Sequence, residues 1–596
     1  NTSIRIKNFP KSISDSLLPS EETTESYFME SKPELEVVSL STDSNYFFSW
    51  DSGIFVLGPN ASFIYPYYGA NFWADRKVPV HFEWFEKNGK KTHDQWLDCE
   101  IHGGSQNRTR PMKSLHLEAK TKYGNNRLEH QFFKDLPASR FKSLVLRNGS
   151  GDFNKLHCRD ESVHELMLQG GLDLDLNPYR PVLVYFNAQF LGVYNLREKL
   201  DKHYLNEHHP EIDKDNLDLI EEDDLAIEGD FDNWNQLFSY IQNHDLVQQE
   251  AYDSVSTWLD LSNFTDYFIA ATFLTNIDWP NNNMKYWRER KPGAKWRYLP
   301  LDFDITLGNI GWAQANYNMF DRLFTLIGTS NKQVFILHEL FKNPTYKHYF
   351  INRYADAMNS LFTQSSLLTH TQHCLDKIRS VMPRQFERWG GSMETWHAEF
   401  DTMALPYILQ RTDFAREHLR DYFGLAHPLL LRLQCIPEPG GTIQVNTLKA
   451  RASGWEGWYF PDVTIQLKPE PKPGYTFQGW LVETDSVHFI PTDSLAIRVE
   501  PQQKITALYN RTDTENEILC FPNPSSSLLL TLLWPNNDPS ANSVSIYNTN
   551  GERVFAKSCI SIGPVYEEKI SLEGLSNGLY LVKAGKFKGK FIKINP

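Results

Sequence analysis

The chain has 596 residues, 41% hydrophobic and 22% charged, an ordinary globular balance; at roughly 100–200 residues per domain it holds three or four domains. A formal net charge of −14, with no basic stripe, excludes a general nucleic-acid binder, and no apolar run reaches the about 18 residues of a membrane-spanning helix. Six scattered cysteines, none in CxxC or Cys/His zinc spacing, read as small buried hydrophobes rather than disulfides.

Residues 1–34, opening NTSIRIKNFP, are polar and weakly periodic and read as an arm or a degraded leading module behind a mature or trimmed N-terminus. LEVVSL reads as a strand, and VPVHFEWFEKNGKK as a strand ending in an Asn-Gly hairpin turn. In IHGGSQNRTRPMKSLHLEAK a glycine pair and a basic loop lead into an alternating strand through Leu115 and Leu117. KSLVLRNG reads as a strand and ESVHELMLQG as a short helix. PVLVYFNAQFLGVYNLREKL reads as a hairpin turning at Asn187-Ala188 and running into a helix at Glu198. Residues 231–275 carry helical apolar spacing, then KYWRER and KWRYLPLDFD pair as strands. A helical region follows from about 333 to 425, where Tyr346, Phe350, Tyr354, Met358 and Leu361 form a core-facing stripe. After Pro437-Glu-Pro-Gly-Gly the pattern turns to strands and Pro/Gly turns. The fold class is therefore α+β, a large mixed domain (35–430) followed by two small all-β modules (436–510 and 515–596).

Chemistry concentrates in two acidic turns, TNIDWPNNNMKYW and PLDFDITLG. Phosphoryl transfer needs a carboxylate near the incoming hydroxyl, oxygen ligands for Mg²⁺, a cation on the phosphates and a loop that cradles them. In protein kinases the catalytic Asp precedes a metal-binding Asn by five positions; Asp278 and Asn283 have that spacing. Asp302 stands where a metal carboxylate is expected, with Gly308 letting the chain turn away. Upstream, Gly103-Gly104 can form a phosphate-facing turn, Lys113 can reach phosphate, and Glu165 can pair with that lysine, with Glu161 as its rival. Each part alone is also good turn, cap or surface chemistry; their order favours a site. Arg108 and Arg110 read as solvated, and Asn281 and Asn282 as backbone caps.

IHGGSQNRTRPMKSLHL, FKSLVLRNGSGD with CRDESVHEL, VYFNAQFLGVYNLREKLD, TNIDWPNNNMKYWRE and KWRYLPLDFDITLG together resemble the spore-coat protein H (CotH) kinase family, over residues 35–425. The resemblance implies a kinase-like fold and transfer of phosphate from ATP, with Mg²⁺, to a Ser/Thr hydroxyl of a protein substrate. It implies Asp278 as the catalytic carboxylate, Asn283 and Asp302 on metal, Asp304 as a second ligand or a structural partner, and Lys113 on phosphate. Arg197 and Glu198 either touch nucleotide or brace the hairpin. Against ordinary kinases, Asn276-Ile277 replaces His-Arg, Asp304 replaces the DFG glycine, and no GxGxxG loop occurs. The alternative is a non-catalytic kinase-like surface protein that binds protein or glycan.

FPNPSSSLLL, VSIYNTNGERVF and ISLEGLSNGLYLVKAGKFKGKFIKI resemble the C-terminal sorting domain of type IX secretion cargo. That implies handling by the type IX secretion machinery and a secreted or outer-surface location in a Gram-negative bacterium. Residues 436–510 resemble small β repeats of bacterial surface proteins; Trp455, Trp458 and Trp480 either face a sugar or, as such residues mostly do, pack the core.

Overall fold

The computed structural model describes residues 3–8, 23–28, 32–134, 136, 138–451, 453–511, 517–521, 523–525, 528–535, 538–560 and 565–594. The chain divides into two compact units, Asn1–Ala426 and His427–Pro596. It is an α+β protein.

The first unit opens with β1 (Ser3–Asn8) and β2 (Thr23–Phe28), an antiparallel pair inside the stretch expected to be an irregular arm. The backbone N–H of Ser26 donates to Glu83 at 3.1 Å, so the pair is stitched to the sheet behind it; the rest of the expected arm up to residue 31 lies outside the described residues.

That sheet is a closed barrel built from β3 (Glu36–Ser41), β4 (Val78–Phe85), β5 (Lys91–Ile101), β6 (Leu115–Glu118), β9 (Ser143–Arg147), β10 (Tyr179–Phe186) and β11 (Gln189–Glu198), with a short side pair β7 (Leu128–Glu129) and β8 (Arg140–Phe141). Parallel pairing of β10 with β3 closes the ring. Val38, Phe82, Trp84, Leu117, Leu146 and Val184 belong to its apolar core. The two hairpin turns lie where the Asn-Gly and Asn-Ala pairs place them: Gly89, Asn187 and Ala188 all take positive φ. Strand β6 does not alternate. Both its faces are covered, and His116 is buried with its Nδ1 2.7 Å from Glu100.

Between β3 and β4 lies the short helix α1 (Ser44–Phe48), and between β5 and β6 the short helix α2 (Ser105–Thr109). Helix α3 (Arg159–Gly170) bridges β9 and β10. Strand β11 runs through Glu198, where a helix was expected to begin; α4 (Lys202–His208) starts later, because Asp201 is its N-cap, accepting from the amides of His203 and Tyr204 at 2.8 and 3.3 Å.

A second sheet, in the order β13-β12-β14-β15, comprises β12 (Leu217–Glu221), β13 (Leu225–Glu228), β14 (Met284–Glu289) and β15 (Arg297–Pro300). The helical stretch before it is α5 (Asp232–Asn243), α6 (Gln249–Trp258) and α7 (Leu261–Phe273). The helices after it are α8 (Met319–Asp321), α9 (Lys332–Leu340), α10 (Pro344–Met358), α11 (Gln364–Ile378), α12 (Met382–Trp389), α13 (Met393–Glu399) and α14 (Leu405–Phe423). Caps break the expected long run: Asn343 followed by Pro344 starts α10, and Thr363 starts α11. The stripe Tyr346, Phe350, Tyr354, Met358 and Leu361 is buried as its spacing requires.

In the second unit, residues 429–511 form a five-stranded and a four-stranded sheet among the described residues. Leu429–Ile436 is already a strand of the five-stranded sheet, so this module begins earlier than residue 436. Trp480 is fully buried and donates from Nε1 to Thr492 O at 3.0 Å, Trp455 is half-buried, and Trp458 is 44% exposed. Residues 519–593 form a three-stranded and a four-stranded sheet sharing one core, with Leu530, Leu532 and Trp534 against Val544, Val582 and Phe591. All six cysteines are free thiols.

Candidate functional site

A cleft of about 370 Å³ opens between the barrel and the second sheet of the first unit. The barrel contributes Gly103, Gly104, Arg147, Arg197, Glu198 and Lys199; the sheet and its loops contribute Glu221, Glu222, Asn283, Lys285 and Asp302. Both acidic turns therefore reach one cleft.

The first turn is held by an aromatic anchor. After α7 ends, Thr275 takes φ +51°, and Trp279 is buried against Phe268 and Tyr267 with ring centroids 4.8 and 5.9 Å away. Asp278 is thereby left at the surface end, half-buried. Asn283 Nδ2 donates to its Oδ2 at 3.0 Å, and Asn282 Nδ2 to its Oδ1 at 2.9 Å. Asn282 thus holds the carboxylate with its side chain rather than only capping backbone. Asn283 takes φ +60°, a region asparagine tolerates better than most residues, and its N–H donates to Glu222 at 3.2 Å.

The second turn follows β15. Asp302 takes φ +44°, and its carboxylate forms an ion pair with the Arg147 guanidinium. Burial alone would raise the Asp302 carboxyl; the Arg147 charge and hydrogen bonds from Arg147 and Asp304 together outweigh it and hold the pKa below the ordinary range. Asp304 behaves oppositely. Burial, then the Asp302 charge, pushes it well above that range, and its Oδ2 accepts the N–H of Gly151 at 2.5 Å. Asp304 is 4% exposed and absent from the cleft lining, and lies 3.5 Å from Arg147. Gly308 takes φ +74°, and a Cβ there would stand 2.5 Å from Met403 O.

The turns are tied together: Asn276 Nδ2 donates to Asp302 O at 3.2 Å. Behind them, the buried carboxylate of Asp160 on α3 pairs with Arg197 and lies 3.4 Å from Arg147. Glu161, the rival carboxylate, is 3.8 Å from Arg197 and is pushed up to about 7 by burial.

Lys113 and Glu165 do not meet, and neither lines the cleft. Lys113 is 4% exposed; its ammonium lies over the Phe72 ring and donates to the carbonyl oxygens of Arg108 and Arg110 at 2.5 and 3.0 Å. Burial lowers its pKa to about 8. Glu165 is bound from the other side by α11, accepting from Lys377 Nζ at 2.7 Å, beside His373 Nδ1 at 2.6 Å. The cation-to-helix-carboxylate pairing expected of Lys113 and Glu165 is made instead by Arg147 and Arg197 with Asp160.

Gly103 and Gly104 do line the cleft. Gly103 takes φ +86°, and a Cβ there would stand 2.7 Å from Asn107. Arg108 is not solvated; it donates to Gly103 O and Phe72 O, both at 2.6 Å, and so braces the glycine turn. Arg110 lies over the Phe153 ring at 5.7 Å. Glu198 is buried at the cleft wall, 2.8 Å from His208 Nε2. Lys199, one residue on, lines the cleft with no ion pair found for its ammonium among the described residues. Sequence reasoning missed Arg147, Asp160 and Lys199. The run Arg197-Glu198-Lys199 was the available signal for the last; nothing local marks the other two.

Residues 99–415, more than half of the chain, match the family model for CotH kinase protein. The chain belongs to the CotH kinase protein family. Residues 519–594 match the secretion system C-terminal sorting domain. No match to a curated protein was found. The protein is thus a CotH-family chain carrying the tail of a secretion cargo, and no helix among its described residues is long and apolar enough to cross a membrane. Within the CotH match lie the glycine turn, both acidic turns, and α3 with its partners on α11.

For a divalent metal, the two residues the resemblance names are the Asp302 carboxylate and the Asn283 amide, beside the carboxylates of Glu198, Glu221 and Glu222 that line the same cleft. Among the described residues no group of three or more His, Cys, Asp or Glu side chains forms a metal cage. One ionised carboxylate and one amide oxygen fit Mg²⁺, which takes most of its ligands from water and substrate phosphates. They do not fit a structural ion held by protein alone.

Proposed function

We propose that this protein is a secreted or surface-held kinase of the CotH type, with a kinase-like catalytic domain, that transfers phosphate from Mg-ATP to a Ser/Thr hydroxyl of a protein. The type IX sorting route to the outer surface of a Gram-negative bacterium is part of this reading. The observation that carries it is the convergence of Asn283 and Asp302 on one cleft, with Asp278, just outside the lining, bonded to Asn283, and Asn276 tying the two turns.

In this reading Asp278 orients the acceptor hydroxyl and takes its proton. The two amides on its carboxylate fix the direction in which it faces the acceptor. Asn283 and Asp302 hold the metal. Bound Mg-ATP supplies the phosphoryl group and neutralises its charge. Lys199 reaches the phosphates in place of Lys113, and the Gly103-Gly104 turn lets backbone approach them. Glu198, held by His208, braces the strand end from which Lys199 projects.

The test is Mg²⁺-dependent ATP binding and autophosphorylation of the full chain beside Asp278→Asn and Asp302→Ala. We expect Asp278→Asn to bind nucleotide without turnover and Asp302→Ala to lose metal-dependent binding. No nucleotide binding under any divalent metal would sink the proposal. A second reading, a non-catalytic surface protein that binds protein or glycan, draws on the Arg147–Asp302 ion pair, which engages the carboxylate a metal needs. Nucleotide binding without turnover in the unmodified chain would favour it.

A further inference from the structure

The second acidic turn carries backbone strain at its key residue. Asp302 has φ +44° without being glycine, a conformation uncommon outside glycine, asparagine and aspartate that the surroundings must hold. The surroundings here act on one peptide group. The carbonyl oxygen of Asp302 accepts from Asn276 Nδ2 at 3.2 Å, and the amide of the same peptide unit, Phe303 N–H, donates to Asp160 Oδ1 at 2.6 Å. The peptide plane between Asp302 and Phe303 is thus gripped at both ends, from the Asp278 turn on one side and from α3 on the other. That plane fixes where the Asp302 Cα sits, and the Arg147 ion pair then aims its carboxylate.

Asp160 lies behind the cleft, at the centre of several buried contacts. It sits in the first turn of α3, is 2% exposed and is absent from the cleft lining. Its other oxygen pairs with Arg197 and lies 3.4 Å from Arg147, the counter-ion of Asp302. His164 Nε2 lies 3.5 Å from Oδ1, and Glu161 faces Arg197 from the next position. One carboxylate therefore holds both the backbone of Asp302 and the guanidinium that faces its side chain.

We propose that Asp160 is a positioning residue: by clamping the Asp302–Phe303 peptide, helix α3 sets the divalent-cation affinity of Asp302. The metal half of this statement rests on the kinase reading above; the clamp itself does not.

Replacing Asp160 alone takes the close counter-ion from buried Arg197, leaving Glu161 at 3.8 Å and the Asn177 carbonyl, which can destabilise the domain. The test therefore compares two neutralised pairs in the full chain. Asp160→Asn with Arg197→Gln keeps an acceptor for the Phe303 amide; Asp160→Leu with Arg197→Gln keeps the bulk and removes the acceptor. Mg²⁺ is titrated into each with a non-hydrolysable ATP analogue. The leucine pair is expected to need at least about tenfold more Mg²⁺ for half-saturation than the asparagine pair, with equal nucleotide affinity at saturating Mg²⁺. A merely structural role would lower the melting temperature without splitting metal from nucleotide affinity. Equal Mg²⁺ dependence in the two pairs overturns the proposal. If the unmodified chain binds no nucleotide, the kinase reading fails and the clamp is judged by hydrogen exchange at the Phe303 amide. Exchange at least about tenfold faster in the leucine pair upholds the clamp, and equal exchange overturns it.

Discussion

Two lysines separate structural charge from the charge proposed to face phosphate. Lys113 gives its ammonium to two backbone carbonyls and an aromatic face, so Lys113→Met orphans two acceptors and removes a cation–π contact. We expect a loss of about 1–3 kcal/mol in denaturant unfolding and no change in nucleotide affinity. Lys199→Met should do the reverse, weakening ATP binding about tenfold in a calorimetric titration while leaving stability nearly unchanged. An unaltered ATP affinity in Lys199→Met would remove that lysine from the site. The contrast also marks what was readable at this scale. That the two acidic stretches are turns could be read from Asp, Asn, Pro and Gly, because such residues act on their own backbone within a few positions; that they belong together came only from the order of the parts and the resemblance. Which carboxylate a lysine meets could not, since a four-carbon stem reaches in many directions and the decisive carbonyls of Arg108 and Arg110 carry no side-chain signature. Arg147 and Asp302 are 155 positions apart, so nothing in KSLVLRNG announces their ion pair.

Helix α3 is held at both ends by its own carboxylates. Asp160 grips the second acidic turn, and Glu165 is latched to α11 through Lys377, His373 and, at 3.7 Å, His370, with the Tyr179 hydroxyl at 3.1 Å. Burial alone would raise the Glu165 carboxyl; His370, Lys377 and His373 together outweigh it and hold the pKa well below the usual carboxylate range. A depressed carboxylate contributes stability that is present above its unfolded pKa and lost as pH falls toward its folded one. Glu165→Gln should therefore cost about 1–3 kcal/mol at pH 7 and progressively less below about pH 4.5. Paired denaturant curves at pH 7 and pH 3.5 check the sign, and an equal loss at both would exclude the latch. The helix itself was legible from ESVHELMLQG; its two jobs were not, because both partners come from distant elements. The strand end at Glu198 was misjudged for a related reason. An Arg-Glu-Lys run has helix propensity, but pairing with β9 carries the strand through Glu198, and Asp201 delays the helix.

At the scale of the whole molecule, the α+β class and the change to all-β structure were open to sequence, since the apolar period shifts and Pro/Gly turns multiply after Ala426. The closure of the barrel was not, because the parallel pairing of β3 with β10 joins segments more than a hundred residues apart and leaves no local mark. In the tail, the FPNP motif has a physical reading at Asn523, although Pro522 lies outside the described residues. Asn523 Nδ2 donates to Lys590 O and its Oδ1 accepts from Ile592 N, both at 3.0 Å, so the motif's asparagine grips the last strand, Phe587–Lys593. Phe587 and Phe591 of that strand are buried in the tail's core, and Phe591 stacks on Tyr580 with centroids 5.1 Å apart. Removing only residues 587–594 should therefore expose the sandwich core and abolish delivery as fully as removing all of 519–594. Surface proteolysis of cells expressing each form reads this out: the full chain is cleaved from outside, and both truncations are protected. ATP binding by the purified truncated proteins should stay at the level of the full chain, because every residue of the cleft lies between His102 and Asp302. Surface delivery of the shorter truncation would show that the sorting signal does not require the folded sandwich.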